Sequence, residues 1–289
     1  MTLQTVAASE IVVPRDRREL VRKVILYSLL TFIALLFFVP FIWSISTSFK
    51  TIPDSVNVNL IPHPWTTQAW HDIWHNYDFP TYIKNSLFLA VVITSLNMVL
   101  AGLGGYAFAR LRFPGRDLLF LLVLLTLMVP DQLRLVPVFV MLTKWHLIAS
   151  FRGYILITVV TATNLFFMRQ YFLTIPKDFE EAAKLDGAGY FKTFWRVMLP
   201  LALPAIAALA ILQFQGTWND FFWPLIIFGQ GSPNLYTVQL GLALLHFNYS
   251  TLWPQVMAGS LIAIIPILVI FVVFQRYFIS GVVSSGVKG

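Results

Sequence analysis

The chain contains no cysteine, and Asp, Glu, Lys and Arg together make up only 11% of its 289 residues. The first absence excludes disulfides, thiolate metal sites and cysteine nucleophiles. The second sets the chain apart from soluble domains, which are about one quarter charged. No Gly-x-x-x-x-Gly-Lys-Ser/Thr loop is present, so the chain carries no P-loop for ATP. No motif for RNA or DNA binding occurs, and nucleic acid is not expected as a partner. No internal repeat of the kind found in many secondary carriers is visible. The apolar stretches also lack a Ser, His and carboxylate constellation for intramembrane catalysis.

What is present is apolar. The chain is 58% hydrophobic with a mean hydropathy of +0.75, a composition for which lipid is the natural solvent. Apolar runs lie near 24–46, 85–109, 117–140, 153–173, 200–228 and 254–276. Each is long enough to cross a hydrocarbon core, which takes roughly 20 helical residues. The runs are continuous, not alternating, which predicts helices and not barrel strands. The expected fold is an all-α integral membrane protein with six transmembrane helices. Its parts are an N-terminal tail 1–23, a membrane domain 24–276 and a C-terminal tail 277–289. Pro40, Pro130, Pro137 and Pro204 fall inside the runs, where membrane helices tolerate proline. The run from Val24 to Trp43 is about twice as long as a signal-peptide core of ~7–15 residues. Although Ser44-Ile45-Ser46 is similar to a cleavage site, it reads as an uncleaved first span.

Cationic residues orient the spans. If the N-terminal tail is inside, the inner segments hold Arg15, Arg17, Arg18, Arg22, Lys23, Arg110, Arg112, Arg116, Lys177, Lys184, Lys192, Arg196, Arg276 and Lys288. The outer segments hold Lys50, Lys84, Lys144 and Arg152, while Arg134 and Arg169 lie within spans. The +7 formal charge therefore speaks to orientation and to anionic headgroups of membrane lipid. Both termini and the loop 174–199 are expected in the cytoplasm.

That loop is a polar island between two apolar runs. Pro176 can open a helix, and Asp178, Glu180 and Glu181 then sit at the positive end of its dipole. Phe179, Ala182, Ala183 and Asp186 follow helical spacing, and Gly187 is a natural stop with Gly189 behind it. A second helical stretch is expected from Tyr190 into Pro200 and the fifth span. The object is a short helix outside the membrane whose small side chains admit a partner backbone. An amphipathic segment lying on headgroups is the competing reading.

Polar residues inside spans usually face a cavity or another protein group. Asp131 and Arg134 stand i,i+3, so they can neutralise each other or line a path for an anionic solute. Gln213, Gln215, Asn219 and Asp220 lie among Trp218, Phe221, Phe222 and Trp223, which suits either sugar binding or an interfacial aromatic belt. Ala101, Gly105 and Ala109 form a small-residue seam for close helix packing, within the chain or between subunits. His71 and His75 are i,i+4 on a predicted helix but lack a third ligand, so no metal is assigned. The segment reads instead as an amphipathic outer helix with Trp65, Trp70 and Trp74 at the interface, facing a soluble partner.

Glu181-Ala182-Ala183, Gly187, Val197 and Leu199-Pro200 resemble the EAA signature of permease subunits from binding-protein-dependent ABC importers, with Val197 where Ile is usual. Asn85-Ser86-Leu87, the stretch from Tyr106 to Arg116, the stretch from Trp218 to Leu225 and the terminal Ser285 to Gly289 are similar to its carbohydrate, maltose-transporter-like branch. The resemblance implies the type I importer permease fold and a non-catalytic transport subunit that itself holds no cofactor. It implies a coupling helix in which Glu181, Ala182, Ala183, Asp186 and Gly187 meet an ATPase dimer, with ATP and Mg bound on that partner. It also implies a second permease subunit, an extracytoplasmic solute-binding protein, and a bacterial or archaeal cell membrane (the inner one in a Gram-negative cell). The expected cargo is a sugar or oligosaccharide, or alternatively an anion such as a glycerol phosphate or uronate oligosaccharide. Asp131, Arg134, Gln215, Trp218, Asn219, Asp220 and Phe222 are the candidates for its path. An ion-coupled secondary carrier is the competing class.

Overall fold

The computed structural model describes residues 17–229, 231, 233–247 and 252–286, and the segments 1–16 and 287–289 of the two expected tails, with Arg15 and Lys288, lie outside the described residues. Among the described residues the regular structure is entirely helical. In chain order the helices are α1 (Arg17–Ser48), α2 (Gln68–His75), α3 (Phe79–Arg110), α4 (Arg116–Thr126), α5 (Asp131–Lys144), α6 (Phe151–Thr158) and α7 (Ala162–Thr174). They continue with α8 (Asp178–Leu185), α9 (Tyr190–Thr193), α10 (Leu199–Trp218), α11 (Phe222–Phe228), α12 (Val238–Phe247) and α13 (Trp253–Gly286).

Four stretches are long and apolar enough to cross a membrane unbroken: Arg18–Ser48, Phe79–Arg110, Tyr190–Trp218 and Trp253–Phe274. Two further runs are bent pairs, α4 with α5 at 101° and α6 with α7 at 42°. The third run, 117–140, is therefore not one straight helix. Pro130 stands in extended backbone at ψ 142° and has no N–H to continue the ladder, so α5 starts afresh in a new direction. The fourth run breaks over Val159–Thr161, where the Asn97 amide takes over the Val159 carbonyl at 2.8 Å. The fifth run, 200–228, also divides. Helix α10 ends at Trp218, and α11 is a separate short helix whose first turn is held by the Asp220 carboxylate, which accepts from Trp223 N at 3.4 Å. On its other side α10 continues back through a π turn, Phe194–Met198, to Tyr190. The physical cause is Pro200, which offers no N–H to the carbonyl of Arg196, so the ladder widens before it. Helix α13 runs on through Gly286, so most of the expected C-terminal tail continues the last span.

Helix α3 is the axis of the bundle and packs on α7, α10 and α12, while α13 packs on α1, α2, α10 and α12. Although α1 packs on α13, no residue in its apolar window is buried within the chain, as suits a helix whose outer face meets lipid or another subunit. The small-residue seam lies inside the chain. A Cβ added at Gly105 would stand 2.6 Å from the Met168 Cβ and 2.9 Å from the Arg169 N on α7. We expect Gly105→Ala to force α3 and α7 apart at a cost of about 1–3 kcal/mol. Thermal unfolding of the detergent-solubilised protein should fall accordingly, and an unchanged midpoint would show that the seam tolerates a methyl group.

The segment between α1 and α3 is built around two buried charges. The Lys50 ammonium donates to the Asn57 carbonyl at 3.1 Å and to that of Asn59. The Asn57 side chain and the His63 N–H both donate to Asp54, holding its carboxyl below the usual range. Helix α2 rests on α13 through buried Ala69 and Ile73, and its Asp72 accepts from Gln255 at 3.0 Å. His71 and His75 stack on each other with ring centroids 4.3 Å apart, and Trp65 stacks on Phe49 at 5.1 Å.

Candidate functional site

The three helix breaks converge. Between the α4–α5 corner, the α6–α7 corner and the end of α10 lies an open cavity of about 630 Å³. Its size falls in the range of small-molecule sites. Polar groups reach it because the breaks leave backbone and short side chains unshielded. Asp131, in the first turn of α5, pairs with Arg134 one turn on, and both line the cavity. The two charges offset each other on one helical face. Opposite them, Asp220 accepts from the Tyr154 hydroxyl at 2.8 Å, and Tyr154 itself is buried beneath it. Phe222 supplies an apolar wall.

A buried amide chain supports this wall. The Asn97 side chain donates to the Val159 carbonyl at 2.8 Å and to the Thr161 hydroxyl at 3.1 Å. Asn164 donates to Asn97 Oδ1 at 2.7 Å and to Gln213 Oε1 at 2.8 Å. Gln213 then donates to Thr217 at 3.2 Å. Thr161, Gln213 and Thr217 line the cavity, so the network that fixes the α6–α7 break also fixes its floor.

Not every candidate for the path lines this cavity. Asp131, Arg134, Asp220 and Phe222 are brought together. Trp218 is instead fully buried, donates to the Ala263 carbonyl at 3.0 Å and stacks on Phe214, so it joins α10 to α13. Gln215 lies exposed outside the lining, and Asn219 is exposed and accepts from Gln239 at 3.3 Å. The residues that sequence reasoning passed over are Tyr154, Thr161, Asn97 and Asn164. A signal existed in Thr158, Thr161, Thr163 and Asn164, an unusually polar cluster in the middle of an apolar run.

At the other end of the molecule stands α8. Its stop is built as expected at Gly187, whose φ is +74°. Gly187 N–H bonds the Lys184 carbonyl at 3.0 Å and Ala188 N–H bonds the Ala183 carbonyl at 2.9 Å, the paired pattern of a Schellman cap. The helix has two faces. Glu180 and Ala183 are buried, whereas Phe179, Glu181, Ala182 and Asp186 are exposed and Leu185 is 90% exposed. Phe179, Ala182, Asp186 and Lys192 with Arg196 border a groove between α8 and the π turn. Exposed Tyr190 and Phe191 extend its apolar margin. The inner face meets the bundle through Arg110, whose Nε lies 3.3 Å from Glu180 Oε1.

Residues 98–283 match the family described as binding-protein-dependent transport system inner membrane component. The chain belongs to this family. The match takes in the whole segment from α8 to Pro200, so the resemblance carried by Glu181-Ala182-Ala183 and Gly187 is met. The arabinooligosaccharides transport system permease protein of Halalkalibacterium halodurans is 40% identical over 209 residues, 72% of this chain and 74% of that relative. The sn-glycerol-3-phosphate transport system permease protein of Yersinia pestis is 34% identical over 234 residues, 79% of this chain and 83% of its own. A chain of a bacterial ABC transporter involved in the import of the acidic polysaccharide alginate is 25% identical and superposes with a TM-score of 0.76, over 91% of this chain and 98% of that one. The expected all-helical permease fold is thus met in a solved transporter. This family member is a transport subunit, and the cavity and α8 are its two polar features of note.

Proposed function

We propose that this chain is the membrane-spanning permease subunit of an ATP-driven importer for a sugar or oligosaccharide, sharing the solute path with a second permease subunit. The observation that carries the coupling half of this reading is α8. It stands outside the apolar helices, anchored on one face and offering Glu181, Ala182, Asp186 and Leu185 on the other. A large aliphatic side chain that is 90% exposed beside small residues and carboxylates suits a protein seat better than bulk water. In this reading α8 fits a groove of a cytoplasmic ATPase dimer, which binds ATP and Mg, and an extracytoplasmic binding protein delivers the solute. The Lys- and Arg-rich side, with α8, is cytoplasmic.

The cavity supports a neutral, hydroxyl-rich cargo. Arg134 is offset by Asp131, and Asp220 adds a further carboxylate, so this wall holds no excess positive charge. Gln213, Thr217 and Asp220 offer acceptors and donors to hydroxyls, and Phe222 a face for C–H groups. A second reading, an anionic cargo, is favoured by Arg134 lining the wall and by relatives named for glycerol phosphate and alginate. Substrate-stimulated ATPase activity of the assembled importer separates the two. We expect stimulation by neutral oligosaccharides that survives Arg134→Gln, whereas stimulation by anionic solutes that Arg134→Gln abolishes would establish the second reading.

A further inference from the structure

Arg110 is the last residue of α3, yet its side chain is only 5% exposed. It ties its own helix to two others, α7 and α8. Its guanidinium donates to the Phe172 carbonyl at 2.7 Å, which also accepts from the Ile175 N–H at 3.3 Å, and to the carbonyl of Ile175, the residue just past the end of α7. A cation there also complements the negative end of the α7 dipole. Its Nε faces Glu180 in the first turn of α8, a carboxylate whose side chain is 11% exposed. Neighbouring Tyr106 seals the site by packing on Phe172 and on Phe194 of the π turn, at 5.8 and 5.3 Å between ring centroids.

The two halves of this contact differ in kind. Toward α7, Arg110 makes directional hydrogen bonds. Toward α8, neither Arg110 Nε nor Glu180 Oε1 makes a hydrogen bond, and the 3.3 Å approach is one of charge alone. A directional fork resists rotation, whereas a buried charge pair resists separation but allows tilt. From this we infer that Arg110 is a strut locking the ends of α3 and α7 together, and that Glu180 is the pivot by which α8 is tied to that strut while it tilts. Arg110 and Glu180 are positioning residues: movement of α8 reaches the core helices through them. The inference rests on the reading above that α8 seats on an ATPase.

The test uses the reconstituted importer with its ATPase, second permease and binding protein. Single changes such as Glu180→Gln leave a buried charge unpaired and can fail by instability alone. The double variant Arg110→Gln with Glu180→Gln removes both charges together and avoids that penalty. We expect the double variant to assemble and to hydrolyse ATP, with solute imported per ATP reduced by about fivefold or more. Glu180→Asp, which keeps the charge, should retain most of the coupling. A cross-link from Ala182→Cys to the ATPase is scored in parallel. If it forms in the wild-type and double-variant backgrounds and import per ATP is unchanged, the strut is overturned and the docking reading stands. If it fails to form even in the wild-type background, the docking reading falls and the strut with it. A double variant that cannot assemble where Arg110→Gln and Glu180→Gln each can also overturns the strut, since the pair is then structural only.

Discussion

Glu181→Lys and Gly187→Val leave the subunit in the membrane at near-normal abundance and cut transport sharply. Glu181 is exposed, and nothing stands within 4 Å of a Cβ built on Gly187, so neither side chain holds the subunit itself together. For Glu181→Lys the fold loses little, since an exposed substitution typically shifts stability by about 0.5 kcal/mol or less. What changes is the face of α8 that a partner would meet. Glu181→Lys reverses a charge on the exposed face of α8, at the centre of the proposed docking surface. Gly187→Val places a β-branched side chain at φ +74°, a conformation that costs about 1–2 kcal/mol and that the Schellman cap requires. Refolding the end of α8 to relieve that strain moves Leu185 and Asp186 away from the positions the proposed docking requires. Uptake should fall about tenfold or more for a loss of this size, while immunoblots of membranes show the subunit present. Full uptake by either variant would remove α8 from the coupling path.

Trp218 and Asp220 stand two residues apart and should fail in opposite ways. Trp218 is fully buried between α10 and α13, so Trp218→Ala leaves a large void and a Trp-to-Ala loss of about 3–5 kcal/mol. Little folded protein is expected to accumulate. Asp220 lines the cavity, so Asp220→Ala removes the acceptor for Tyr154 and, on the proposed path, a polar contact for the solute while the bundle still forms. Membrane abundance is expected to hold within a factor of about two, and uptake to fall about tenfold. Asp220→Asn keeps an acceptor in place and should recover part of that loss. Comparing abundance with uptake for the three variants checks the assignment. A Trp218→Ala subunit that is abundant but inactive would return Trp218 to the solute path.

The same pair shows what the sequence could and could not display. The apolar runs announce membrane helices, and the polar island announces α8, because composition and length carry that information along the chain. Gly187 was legible for a local reason, since a helix stop of that kind needs φ above zero. Which side of α10 faces the cavity was not legible. Trp218 is the last residue of α10 and Asp220 lies in the turn after it, and only the positions of α6 and α13 decide which of the two is buried and which meets the cavity. The bends at Leu127–Pro130 and Val159–Thr161 were hidden for a related reason. Proline is tolerated in membrane helices, so Pro130 alone does not declare a 101° corner. Arg110 reads in sequence as one more orienting cation, and its tie to Glu180 is a long-range contact that no spacing rule reaches.

The most direct test of the account is solute uptake into proteoliposomes holding this subunit alone, this subunit with its second permease, and the full set with ATPase, binding protein and ATP. Uptake is expected only in the full set, and is lost when hydrolysis is blocked. Uptake by the subunit alone, driven by an ion gradient, would contradict it.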